Sequence, residues 1–160
     1  GDDTLKGGSA DDLLIGDRGN VEYRDGAALV ARFGTGGRDD YTDGAIRPIA
    51  SAFSVDPTVG GNDTVLAGSG ADVVLGGVGE DLIRGDAGTD LLLGDLGWVT
   101  FDTGATVAGI TGTPSLFGRV AFVTPGETTE LRAIGGDDTI YGDAGDDLIL
   151  GSTGDDRLDG

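Results

Sequence analysis

The chain has no cysteine, no histidine and no methionine, and its 160 residues include one lysine, one tryptophan and four prolines. Without thiols there is neither a disulfide framework nor a soft-metal site, and without imidazole the usual zinc ligands and the usual general base are gone. Positive charge is scarce as well. Ten Lys and Arg against 29 Asp and Glu leave a net charge of -19, which makes nucleic acid and anionic membrane poor partners and a cation the natural one. No apolar run reaches the about 18 residues of a membrane span, and no signal peptide opens the chain. It begins midway through a phrase, Gly1-Asp2-Asp3-Thr4-Leu5, and closes on the same phrase at Gly154-Asp155-Asp156-Arg157-Leu158, so we expect a piece of a longer protein.

What is abundant is glycine, 33 residues, and it falls in phase with aspartate and large aliphatics instead of at random, which separates the chain from collagen and low-complexity sequence. From Ala67 to Leu93 the sequence is three nonapeptides without a gap, A-G-S-G-A-D-V-V-L, G-G-V-G-E-D-L-I-R and G-D-A-G-T-D-L-L-L. Placing aspartate at position six assigns that slot to Asp3, Asp12, Asp63, Asp72, Asp81, Asp90, Asp138, Asp147 and Asp156. Position eight is then Leu5, Leu14, Val65, Val74, Ile83, Leu92, Ile140, Ile149 and Leu158.

Two segments break the beat, and each begins with the same signal: Gly16-Asp17-Arg18-Gly19-Asn20-Val21 matches Gly94-Asp95-Leu96-Gly97-Trp98-Val99. Valine replaces the position-six aspartate in both, so we expect these two loops to abort as cation sites. Departures lie 78 residues apart and returns 75 apart, which points to a larger repeated unit. We divide the chain into repeat blocks at 1–19, 58–97 and 133–160 and insertions at 20–57 and 98–132. The insertions hold all four prolines and every aromatic except Tyr141, with β-like runs at Ala28 to Phe33, Ala52 to Val55 and Arg119 to Val123, and are expected to be hairpins or added strands.

The spacing predicts an all-β fold, a parallel β-roll (right-handed β-solenoid) with β-rich insertions. Six loop residues and three strand residues make half a turn, so two nonapeptides complete one coil with a strand on each side, and alternate loops stack at about the 4.8 Å strand spacing. Glycines allow the positive-φ bends that aim carbonyls into the gap between stacked loops. Several ions, Ca²⁺ in preference to Mg²⁺, suit a cage of carbonyls and two carboxylates. All nine position-six aspartates are candidate ligands, the complete stacked pairs being Asp63 with Asp81, Asp72 with Asp90, and Asp138 with Asp156. Carbonyls around Ser69, Gly70, Gly77, Gly79 and Gly88 fill the remaining positions, and Asp81 on the Gly94 loop and Asp3 on the Gly16 loop make weaker sites. Ordering nine backbones costs several-fold more than one buried aliphatic returns, so calcium is expected to be a folding cofactor.

These residues resemble the RTX (repeats-in-toxin) nonapeptide family of bacterial secreted proteins over about half the chain. The resemblance implies a calcium β-roll in an extracellular or cell-surface protein, exported unfolded by type I secretion and folding on external calcium. Such arrays accompany proteases, lipases, pore-formers, adhesins and surface layers, so the repeat identifies a scaffold and not the activity of its parent.

The residues flanking position eight point outward. One side presents Leu13, Ile15, Val73, Leu75, Leu91, Leu93, Leu148 and Leu150; the other presents Thr4, Lys6, Thr64, Leu66, Leu82, Arg84, Thr139, Tyr141, Arg157 and Asp159. An entirely apolar stripe requires a cover, first the insertions and second further copies of the repeat. We expect a calcium-binding structural module of a long secreted or surface protein, possessing no catalysis of its own and assembling as a filament, stalk or surface layer. The alternative is an accessory module of an enzyme or toxin. Ice binding lacks its threonine row, with position seven threonine only at Thr4, Thr64 and Thr139. Phosphate binding lacks its Gly-Lys-Ser/Thr, and Asp39 to Gly44 fails as an EF-hand, with Tyr41 at the third ligand and Ala50 where glutamate belongs.

Overall fold

A computed structural model describes residues 1–25, 28–30, 49–100 and 134–160, and all the regular structure among them is β. The expected runs at 31–33 and Arg119 to Val123 lie outside the described residues, as does Asp39 to Gly44.

The nonapeptide beat becomes two parallel sheets visited alternately. One runs β1 (Thr4–Gly8), β6 (Thr64–Gly70), β8 (Leu82–Gly88), β11 (Thr139–Tyr141), β14 (Arg157–Asp159), with the short β12 (Ala144–Gly145) also on β8. The other runs β2 (Leu13–Ile15), β7 (Val73–Leu75), β9 (Leu91–Leu93), β13 (Leu148–Leu150). Each strand thus lies beside the strand of the next coil, and pairing carries every position-eight aliphatic into register: Leu5, Val65, Ile83, Ile140 and Leu158 in the first sheet, Leu14, Val74, Leu92 and Ile149 in the second. Between β6 and β8 the register runs on through the loop, to Gly68–Asp86, Ser69–Ala87 and Gly70–Gly88.

Two hydrophobic layers follow from the period of two. The inward residues Leu14, Val65, Val74, Ile83, Leu92 and Ile140 form one cluster drawn from both sheets, with Leu5 and Ile149 at its margins. Leu158, on the last strand, is 48% exposed because nothing stacks beyond it among the described residues.

The second layer answers the apolar stripe. An antiparallel sheet made from the insertions, in the order β10 (Trp98–Thr100), β5 (Ile49–Ser54), β3 (Gly19–Asp25), β4 (Ala28–Val30), lies over the outward face of the second parallel sheet. Ala52 of β5 and Val99 of β10 join Val73, Leu75, Leu91 and Leu93 in one cluster, and none of these six is more than 2% exposed. Leu13, Ile15, Leu148 and Leu150, on the terminal strands, are half-buried. The insertions therefore cover the stripe within the chain. Phe53 and Trp98, directly opposed on β5 and β10, stack with centroids 4.9 Å apart on this sheet.

Candidate metal centres

Between strands the chain turns in stacked loops, and the position-six aspartates line up along two edges. On one edge the N–H of Asp3 donates to Asp63 Oδ1, Asp63 to Asp81 and Asp81 to Asp138, each at 2.8 Å, and Asp138 to Asp156 at 3.0 Å. On the other, Asp12 donates to Asp72 at 2.8 Å, Asp72 to Asp90 at 2.9 Å and Asp90 to Asp147 at 2.9 Å. Each carboxylate that accepts is fixed by the backbone of its neighbour coil, which leaves its second oxygen to be accounted for.

That oxygen has no partner. Oδ2 of Asp12, Asp63, Asp72, Asp81, Asp90, Asp138 and Asp147 is buried and without a hydrogen bond among the described residues. One such atom would be a local defect; seven in register form a pattern, since an unmet buried acceptor costs on the order of 1–3 kcal/mol, and more if charged. The glycines show where these atoms point. A Cβ added at Gly76 would stand 2.5 Å from Asp81 Oδ2 and against the Gly94 carbonyl; one at Gly85 would stand 2.5 Å from Asp90 Oδ2 and 2.8 Å from the Gly142 carbonyl. A carboxylate oxygen and a carbonyl oxygen of the adjacent coil thus converge on one point. The two nearest atoms at each point are oxygens, and no three acidic side chains gather among the described residues. Beside Gly76 and Gly85 the gap offers an unengaged carboxylate oxygen and a backbone carbonyl, a donor set that fits a hard cation of the calcium type.

Burial sets the electrostatics. Asp90 and Asp138 have their carboxyls pushed up to about 7, and Asp81 and Asp95 to about 6, first by desolvation and then by neighbouring carboxylates. Asp63, Asp72 and Asp147 are raised for the same first cause. Without a counter-ion these acids resist ionising; a divalent ion in the gap removes that resistance.

The sequence-derived ligand candidates fall as follows. Asp63, Asp81, Asp138 and Asp156 follow Asp3 on one edge, and Asp12, Asp72, Asp90 and Asp147 make up the other. Asp3 is exposed at the start of its row. Gly77 and Gly79 belong to the loop ending at Asp81, Ser69 and Gly70 to the loop ending at Asp72, and Gly88 to the loop ending at Asp90. Gly70, Gly77 and Gly79 have φ of 144°, 122° and 134°, the left-handed region that turns a carbonyl across the gap and that a side chain would strain.

The Gly16 and Gly94 loops, expected to abort as cation sites, have their remaining places filled by residues from beyond the insertions. The Oδ2 of Asp63 stands close against the Cβ position of Gly16, and that of Asp138 against the Cβ position of Gly94, the relation Asp81 has with Gly76. Residues from both sides of each insertion therefore build one loop. Asp17 and Asp95, which the sequence alone did not single out, hold the junctions. Asp17 Oδ2 accepts from Val78 N–H at 2.7 Å; Asp95 accepts from Gly136 N–H at 3.0 Å and Thr153 N–H at 2.6 Å. Their recurrence in matching Gly-Asp pairs, 78 residues apart, was the available signal.

Comparison with known families agrees with this geometry. The family model described as RTX calcium-binding nonapeptide repeat (4 copies) matches residues 1–20, 58–97 and 133–160, more than half of the chain. The chain belongs to this family of calcium-binding repeats. Neither the curated proteins nor the solved structures searched gave a match.

Proposed function

We propose that the chain is a calcium-binding structural module whose two parallel sheets are the walls of a right-handed β-roll, closed by ions between stacked loops. The roll blocks are 1–19, 58–97 and 133–160, with insertions at 20–57 and 98–132 whose strands β3, β4, β5 and β10 serve as outer cladding. The ligands are the nine position-six aspartates, with carbonyls of the glycine-rich loops, including those around Ser69, Gly70, Gly77, Gly79 and Gly88. The observation that carries this proposal is the row of seven buried, unpartnered Asp Oδ2 atoms, six of them set against the first glycine of their own loop.

Calcium enters as a folding cofactor. Where it is scarce the inward acids oppose closure; where it is millimolar, a site of about 10⁻⁴ M affinity contributes roughly 1.4 kcal/mol, and several such sites act together. This suits a bacterial protein exported unfolded and folded outside the cell, as RTX proteins are, with the roll serving as scaffold and not as catalyst. Further copies of the repeat, stacked on the end coils, are the partners that a filament or surface layer would use; nucleic acid and membrane insertion are not invoked. A calcium titration followed by circular dichroism and light scattering tests this. Gain of β structure with calcium and its loss on chelation are expected; full β content after exhaustive chelation at neutral pH would overturn the proposal.

A further inference from the structure

We infer that the two loops broken by the insertions are themselves calcium sites, each assembled from chain segments on both sides of an insertion, so that the ion fastens the root of the insertion. This rests on the calcium reading above and extends it to positions that no contiguous nonapeptide supplies.

The loop ending at Asp81 runs Gly76, Gly77, Val78, Gly79, Glu80, Asp81. Beside it, the broken loop takes its first two places from Gly16 and Asp17 and its last four from Gly60, Gly61, Asn62 and Asp63. Gly16 N–H donates to Leu75 O and Gly61 N–H to Val78 O, both at 2.9 Å. The fifth-place ladder continues through it, from Asn62 N–H to Asp2 Oδ1 at 3.0 Å and from Glu80 N–H to Asn62 Oδ1 at 3.1 Å. The second broken loop is built likewise from Gly94 and Asp95 with Gly135 to Asp138. Gly77 N–H donates to Gly94 O and Gly94 N–H to Leu150 O at 2.9 Å, and Asp155 N–H donates to Asp137 Oδ1 at 2.8 Å.

Each composite loop presents the same unmet atom as the contiguous ones. Asp63 Oδ2 and Asp138 Oδ2 are buried, unpartnered and set at the first glycine, and both residues are 1% exposed. The backbone shows where the chain leaves. In the contiguous loops the second residue is left-handed, with φ of 124° at Gly8, 109° at Gly68, 122° at Gly77, 68° at Asp86, 69° at Asp143 and 82° at Ser152; Asp17 and Asp95 do not adopt that region. Without that left-handed bend the chain leaves the loop for the insertion, and the carboxylates stay behind: Asp95 accepts from Gly136 on the returning segment, and Asp17 from Val78 of the neighbouring loop. Asp17 and Asp95 are therefore positioning residues for the ion held at Asp63 and Asp138.

Both broken loops lie on one edge, alternating with contiguous ones, whereas the loops ending at Asp12, Asp72, Asp90 and Asp147 are all contiguous. Two classes of site follow. Joining Gly94 to Asp138 closes a loop of 44 residues where Gly76 to Asp81 closes 5, which lowers apparent affinity by up to about 25-fold from chain entropy alone.

The test counts ions by native mass spectrometry on the chain and on a spliced variant that lacks residues 96–134 and joins Asp95 directly to Gly135. Equal ion counts, with tighter binding in the spliced chain, are expected; one more ion in the spliced chain would overturn the inference. Should splicing prevent folding, terbium luminescence excited through Trp98, the sole tryptophan, serves in the intact chain. Asp138→Asn should lower the sensitised signal and Asp147→Asn should spare it. Asp95→Ala should weaken the Trp98-reported binding about 10-fold while sparing the sites on the other edge. A signal indifferent to Asp138→Asn overturns the inference alone, whereas a chain that takes up no ion at all removes the calcium reading beneath it.

Discussion

Acid should substitute for calcium in closing the fold. Asp90 and Asp138, ordinarily near 3.8, stand at about 7 in the ion-free fold, and Asp81 and Asp95 at about 6, chiefly because burial penalises their charged forms. A pKa raised by folding means that the folded state binds protons more tightly than the unfolded chain. Its contribution is complete below about pH 4 and is lost as pH rises through 6 to 7. Three units at Asp90 amount to at most about 4 kcal/mol, already a large fraction of the stability of a domain. In chelator, circular dichroism from about pH 8 downward should show β structure appearing between about pH 7 and pH 4, with proton uptake. Light scattering must accompany it, since the isoelectric point is near 4.1. With calcium bound the sign reverses, because protons then compete with the ion for the same oxygens. Asp90→Asn separates the two regimes: the neutral amide should hold the ion-free fold to higher pH and weaken the calcium-loaded one. A calcium-free chain that stays unstructured near pH 4.5 without aggregating, or whose β content in chelator is undiminished at pH 8, would refute this electrostatic account.

Two further variants probe the two hydrophobic layers. Ile83→Ala, at a fully buried position between the parallel sheets, should cost about 2–4 kcal/mol in denaturant unfolding of the calcium-loaded chain, with the ion count unchanged. Leu75→Asp with Leu93→Asp buries two charges beneath the insertion sheet and should abolish folding or expose that face, read as dye binding and association; unchanged folding and unchanged association would show that the sheet does not cover this stripe.

Much of this architecture is legible in the sequence because the nonapeptide sets three things at once. Its period of two within the strand sends Val65 and Ile83 inward, its glycines permit the turn, and its aspartate marks the stacking edge. The parity of the two faces survives both insertions, so Leu13 and Val73 can be assigned to one sheet across a long interruption. The insertion sheet is less legible: its strands are short, and what fixes β5 is a pair of neighbours from separate insertions. The composite loops were missed for a related reason. Local pattern matching sees Val21 and Val99 where aspartate belongs, whereas the geometry takes that aspartate from the far side of the insertion, and nothing in a nine-residue window carries that information. The deciding local feature is the backbone at Asp17 and Asp95, and aspartate is tolerated in either hand, as Asp86 and Asp143 show.

The insertion sheet also couples units that the roll alone would couple only between adjacent coils. In β3, Asn20, Val21 and Glu22 pair with Phe53, Ala52 and Ser51; in β10, Trp98, Val99 and Thr100 pair with the same three residues from the other side. The two triplets are 78 residues apart, the spacing of the larger unit, so β5 of one insertion is gripped by the departure strands of its own unit and of the next. In a solenoid held only by neighbouring coils, stability propagates one interface at a time. Here the β5 bridge spans the coils between Gly16 and Gly94, and opening any of them disturbs both insertions. If ions lie between coils as proposed, they and the strands across units act together, and a calcium titration followed by circular dichroism should be sharper than a sum of independent sites would give.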